Sequence, residues 1–202
     1  MNKQILFDLS YQQLKDLFND YLVYLSKFKT KYHNPNVKWR DDDGTINVIV
    51  IRCNDLYVTN DMVRNNDYLC VIHNTGDSYE QFVFNVTADP KTRKNRIANL
   101  CSQSYIGNIR NHRWIPNRLA ICQDNDAIWV RRYENNKWFE ENGYFGINIH
   151  NSAGFFNSSL GCVILSSEDS YINSFRPLLK KVQGKSVPVI VMEENNFNDL
   201  QA

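Results

Sequence analysis

The strongest constraint on this chain is a series of short, apolar, β-branched runs, each too short for a helix and most of them bounded by turn residues. Ile46 to Cys53 (INVIVIRC), Tyr68 to His73 (YLCVIH), Gln81 to Thr87 (QFVFNVT), Leu119 to Gln123 (LAICQ) and Ala127 to Tyr133 (AIWVRRY) read as strands. Phe145 to His150 (FGINIH), Cys162 to Leu165 (CVIL) and Val187 to Met192 (VPVIVM) complete the set. Phe82, Phe84 and Val86 alternate onto one side of their run, as a strand with one buried face requires. Asp43-Gly44 and Thr75-Gly76-Asp77 are turn signals between runs. Residues 91–117 are basic and aperiodic and read as a long loop with short strands. The expectation is a mainly β (α+β) domain.

Two helices flank this β region. Leu14, Leu17, Phe18, Tyr21, Leu22, Leu25 and Phe28 recur at three- and four-residue intervals, which predicts an amphipathic helix over residues 11–30. Ser10 and Gln13 form its capping box. A second helix is expected from about Glu168 to Gly184, kinked or split by Pro177. The chain divides into an N-terminal helical appendage (1–35), a main domain (36–192) and a frayed tail (193–202). The apolar stripe of the first helix is most simply a packing face on the β domain.

Charge narrows the partners. Basic and acidic residues nearly cancel, 23 against 22, so nothing favours nucleic acid or an anionic membrane. No apolar run is long enough to span a bilayer, and residues 1–9 do not resemble a signal peptide. Synthesis in a cytoplasm is expected. The five cysteines, Cys53, Cys70, Cys101, Cys122 and Cys162, are odd in number and contain no CxxC pair, so neither a disulfide framework nor a zinc motif is indicated. No metal and no cofactor is expected.

The segment from Gly143 to Leu165, GYFGINIHNSAGFFNSSLGCVIL, carries the chemistry. Alternation puts Gly146, Asn148 and His150 on one face of its first strand and Cys162 opposite Val163 and Leu165 in its second. If the two strands pair, Cys162 and His150 project from the same face. An imidazole within reach of a thiol can take its proton and later return it to a leaving amine. Asn151 can orient the imidazole through its carbonyl or side chain, and Gly161 frees the N–H groups of 161 and 162 for a developing oxyanion. A buried Cys beside a hydrogen-bonded His in a β-hairpin is the competing structural account.

The motif INIH, a Gly/Asn/Ser loop and then SLGC before an apolar strand resembles the His…Ser-x-Gly-Cys signature of the L,D-transpeptidase (YkuD-like) catalytic domain. The likeness is greatest to the variant found in phage-encoded proteins, and extends loosely over residues 44–165 through GTINVIVIR, NVTADP, SYIGNIRNHRWIPNRLAICQ and VRRYENN. It implies a β-sandwich or barrel in which Cys162 is the nucleophile, His150 the base and Asn151 the residue whose carbonyl orients it. The implied substrates are peptidoglycan stem peptides, and the implied setting is a virion or a lysis system acting on the wall after synthesis in the host cytoplasm. Leu160 stands where many members have His, Ile164 where many have Arg or Asn, and only eleven residues separate His150 from Cys162. These departures favour hydrolysis over cross-linking. They also motivate a second reading, a non-catalytic phage structural or assembly protein.

Arg131 or Arg132 can serve the substrate's carboxylates through a bidentate guanidinium, but alternation lets at most one face the site. His112, in the loop-rich stretch, and Ser159, beside the Cys motif, are further candidates for the substrate groove.

Overall fold

The computed structural model describes residues 3–53, 67–88, 98–113, 117–124, 126–135, 137–151 and 161–201. Helices α1 (Lys3–Asp8) and α2 (Tyr11–Phe28) and a 3₁₀ turn (Thr30–Tyr32) lead into strands β1 (Ile46–Arg52), β2 (Asp67–Asn74) and β3 (Tyr79–Thr87). There follow β4 (Ala98–Leu100), β5 (Gln103–Asn111), β6 (Leu119–Gln123), β7 (Ile128–Glu134), β8 (Lys137–Gly143), β9 (Asn148–Asn151) and β10 (Val163–Leu165). Helix α3 (Glu168–Ser170), a π-helical turn (Tyr171–Phe175), α4 (Arg176–Lys181), β11 (Ser186–Glu193) and α5 (Glu194–Gln201) finish the described chain.

Eight strands close into a barrel in the order β1-β11-β5-β6-β9-β10-β3-β2, and β4, β7 and β8 form a separate three-stranded sheet. The protein is therefore mainly β, as the strand-like runs require. Within the barrel β1 runs parallel to β11 and β9 parallel to β10, while the other neighbours are antiparallel. Alternation sorts each strand between two apolar layers. Val48 and Val50 of β1 enter an interior cluster with Leu69, Tyr105, Ile121, Ile149, Val163 and Val189. Ile49 and Ile51 of the same strand face outward, into a second cluster with Leu14, Leu17, Phe18, Tyr21 and Leu25 of α2. Burial on both faces is why β1 reads as one continuous apolar run.

Helix α2 begins at the expected capping box: Gln13 donates its backbone N–H to the Ser10 hydroxyl, and Ser10 donates its own to the Gln13 side chain. The Tyr21 hydroxyl then donates to the buried Val191 carbonyl at 2.8 Å, pinning the helix to β11. The second helical region passes without a break from α3 through the π-helical turn into α4, and Pro177 lies in the first turn of α4, where its missing N–H follows the widened π turn.

Two sequence expectations need correction, and one strand goes unmarked in the sequence. Residues 103–111, within the stretch read as a long loop with short strands, form the full nine-residue strand β5, flanked on both sides in the barrel. Gly107 interrupts its pattern because a Cβ there would lie 2.6 Å from Ile121 on β6. Strand β8 (KWFEENG) carries no signal in the sequence: it is largely exposed and, among the described residues, pairs only with β7, so no apolar period marks it. The chain end, expected to fray, forms α5, with Phe197 buried in the outer cluster beside α2.

The small sheet is tied to the N-terminal region through Glu140 on β8. Its carboxylate accepts from Lys31 at 2.5 Å and from the Tyr32 hydroxyl at 2.7 Å, and Arg131 lies at 3.3 Å. The Lys31 hydrogen bond, then those of Tyr32 and Arg131, pull its pKa from 4.5 to about 2. A carboxyl depressed on folding stabilises fully above its unfolded pKa and loses that contribution as pH falls through the folded one. Glu140→Gln should therefore lower the denaturation midpoint at pH 7, and the gap to wild type should begin to close near pH 4.5 and vanish only below about pH 2. Parallel thermal melts across that range measure it.

Candidate functional site

Strands β9 and β10 do pair, in parallel and not as a hairpin, in the register Val163↔Ile149 and Ile164↔His150. That register sets Cys162, one residue before β10, beside Asn148, on the same face of the sheet as His150. The Asn148 N–H donates to the Cys162 sulfur at 3.4 Å, and the thiol faces the Gly146 carbonyl at 3.8 Å. Cys162 is partly exposed and His150 is buried.

The strand expected over residues 145–150 is shorter, because the buried Gln123 side chain holds the segment ahead of it. Its Oε1 accepts from the N–H groups of Phe145, Gly146 and Ile147 at 3.0, 3.0 and 3.3 Å. Its amide donates to the carbonyls of Gly143 and Asp126 at 2.7 and 3.0 Å. This one side chain shapes the bend that presents the Gly146 carbonyl to the sulfur.

Nδ1 of His150 lies 2.5 Å from the Asn151 carbonyl, so a neutral imidazole donates there and keeps its lone pair on Nε2. The Asn151 side chain is buried and donates to Glu168, which also accepts from Arg118 at 3.0 and 3.1 Å. Arg118 and Glu168 were not found from the sequence; no local pattern links them to residue 150, and only the fold does so.

His112 follows β5, and the barrel brings its ring to a centroid distance of 4.5 Å from that of His150. One ligand-type atom from each of His112, His150 and Cys162 lies within 4.8 Å of the other two. Local spacing argued against a metal motif, but that argument does not reach three residues gathered from separate segments.

Burial governs the site's electrostatics. Desolvation, added to by the charges of His112 and Arg118 and opposed by the Asn151 carbonyl, pushes the His150 pKa down to about 4. Desolvation also pushes the Cys162 thiol up, against the Asn148 N–H, and holds His112 low together with Arg110. Burial thus favours a thiol beside a neutral imidazole over a thiolate–imidazolium pair.

The two β7 arginines point to opposite sides of the small sheet, as alternation requires. Arg132 pairs with Glu141 at 2.7 Å and lies over the Phe145 ring at 4.9 Å, next to the Gly146 bend. Arg131 pairs with Glu140 and lines a separate cleft of about 300 Å³ with Lys29, Arg52 and Glu193. Ser159 and Leu160 lie outside the described residues.

Gly161 is demanded by packing as well as by any oxyanion role. It sits at φ +132°, and a Cβ would lie 2.8 Å from Ile147 Cδ1 and 2.9 Å from the Ala98 carbonyl oxygen. Comparison with family models, curated proteins and solved structures yields no match for this chain.

Two substitutions test this architecture. Gly161→Ala should destabilise by about 2 kcal/mol or more through overpacking and a disfavoured φ. Gln123→Leu, which leaves three N–H groups without their acceptor, should cost at least about 2 kcal/mol. Urea midpoints with unchanged m-values measure both.

Proposed function

We propose that the protein is a cysteine enzyme that cleaves L,D-peptide bonds in peptidoglycan stem peptides through an acyl-enzyme on Cys162. The observation that carries this reading is the placement of Cys162 and His150 on one face of the β9–β10 pair, with the Asn151 carbonyl on Nδ1 leaving Nε2 as the free base. The substrate class and the phage setting, as a lysis enzyme or virion-borne wall peptidase, rest on the resemblance of INIH…SLGC to the L,D-transpeptidase (YkuD-like) domain.

Because both partners are neutral at rest, His150 takes the thiol proton as Sγ attacks the scissile carbonyl carbon. The N–H groups of Gly161 and Cys162 are the assigned donors to the oxyanion. Collapse breaks the C–N bond, and the imidazolium returns its proton to the departing amine. Water, deprotonated by His150, then attacks the thioester; a carboxylic acid leaves and the thiol is restored. Glu168 and Arg118 act further out by holding Asn151, and so the ring, in place.

Purified sacculi incubated with the protein should release cleaved muropeptides detectable by mass spectrometry. Cys162→Ala should abolish that release, and His150→Gln should reduce it about 10²–10⁴-fold. Unchanged muropeptides with wild type, together with a Cys162 inert to thiol-directed and carbapenem-type reagents, would favour the non-catalytic structural reading. The neutral, desolvated resting thiol is the observation on that side.

A further inference from the structure

His112, His150 and Cys162 converge from the end of β5, from β9 and from the turn into β10. We propose that these three side chains form a binding site for one divalent transition-metal ion, with zinc the best fit. The site rests on their geometry and not on the hydrolase reading, whose loss would leave it intact.

Two imidazoles and a thiolate are the donor types that suit zinc. Zinc bonds of about 2.0–2.1 Å to nitrogen and 2.3 Å to sulfur put tetrahedral ligand atoms roughly 3.3–3.6 Å apart. The three atoms already lie within 4.8 Å of one another, so side-chain rotation alone can complete the shell. The surroundings also match what a metal-bound histidine needs. His150 spends Nδ1 on the Asn151 carbonyl, which leaves Nε2 as its ligand atom, and Asn151 is held in turn by Glu168, which also accepts from Arg118. His112, one residue past β5, is held by its N–H donating to the Arg118 carbonyl at 2.7 Å, and its ring packs at 4.5 Å against that of His150 on β9.

Binding the ion displaces the Cys162 proton to solvent and forms a metal–sulfur bond, with no redox change. Three protein ligands leave a fourth position for water. The same ion occupies the thiolate and the His150 lone pair, so metal binding and acylation of Cys162 exclude each other, and zinc acts as a reversible block on the thiol.

The test uses the full chain stripped of metal and titrated with Co²⁺ and Zn²⁺. One equivalent of Co²⁺ should produce sulfur-to-cobalt charge-transfer absorption in the near ultraviolet together with visible bands of a tetrahedral site. Cys162→Ser should remove the charge-transfer band, Cys53→Ser should leave it, and His112→Gln should weaken binding at least about tenfold. X-ray absorption on the zinc-loaded wild type, which depends on no variant folding, should show imidazole nitrogens and one sulfur near 2.3 Å. Zinc should block alkylation of Cys162, and a chelator should restore it. No binding, a shell without sulfur, or a charge-transfer band that survives Cys162→Ser or disappears in Cys53→Ser would overturn the proposal. Acylation of Cys162 in the metal-free protein reads the enzyme hypothesis separately, so the two can fail independently.

Discussion

Closure of the eight-stranded barrel is the constraint on which the rest depends. A closed sheet has no free edge, so its strands satisfy their backbone groups against neighbours on both sides and must alternate between an interior and an exterior surface. The interior is filled by side chains such as Val50, Tyr105, Ile149 and Val189. The exterior of β1, β2 and β11 is equally apolar, through Ile49, Cys70 and Ile190, and would face water without α1, α2 and α5. The N-terminal helices are thus one wall of a second apolar layer, and the last helix is another. Phe197 is buried there, which is why the polar-looking end of the chain folds.

The same closure positions the chemistry. Parallel pairing of β9 with β10 fixes which residue stands beside which, and a shift by one position would turn Cys162 away from His150. Around that register the protein spends polar groups on placement: Gln123 on the bend at Gly146, Asn151 on the ring, Glu168 and Arg118 on Asn151. Low-dielectric surroundings favour the neutral forms of both the thiol and the imidazole. A site of this kind is held ready by geometry and not by stored charge.

Much of the fold was legible because its signals are local. The capping box at Ser10, the stripe of α2, the helical region that begins at Glu168 and most barrel strands follow from period and turn chemistry over a few residues. The failures also share a cause. Gly107 breaks the pattern of β5 because of a neighbour on β6, and β8 carries no apolar face because it is nearly all exposed. In both, the deciding partner is distant in sequence or is solvent.

By itself the sequence determined that the chain is mainly β, that an amphipathic helix precedes the strands, and that alternation allows Cys162 and His150 a common face. These follow from periods that every strand and helix must obey whatever surrounds them. Tertiary structure alone decided that the strands close into a barrel, that β9 and β10 run parallel, and that His112, Arg118 and Glu168 belong with the Cys–His pair. Those residues lie tens of positions from Cys162 or on other elements, and only long-range strand register brings them within a few ångströms.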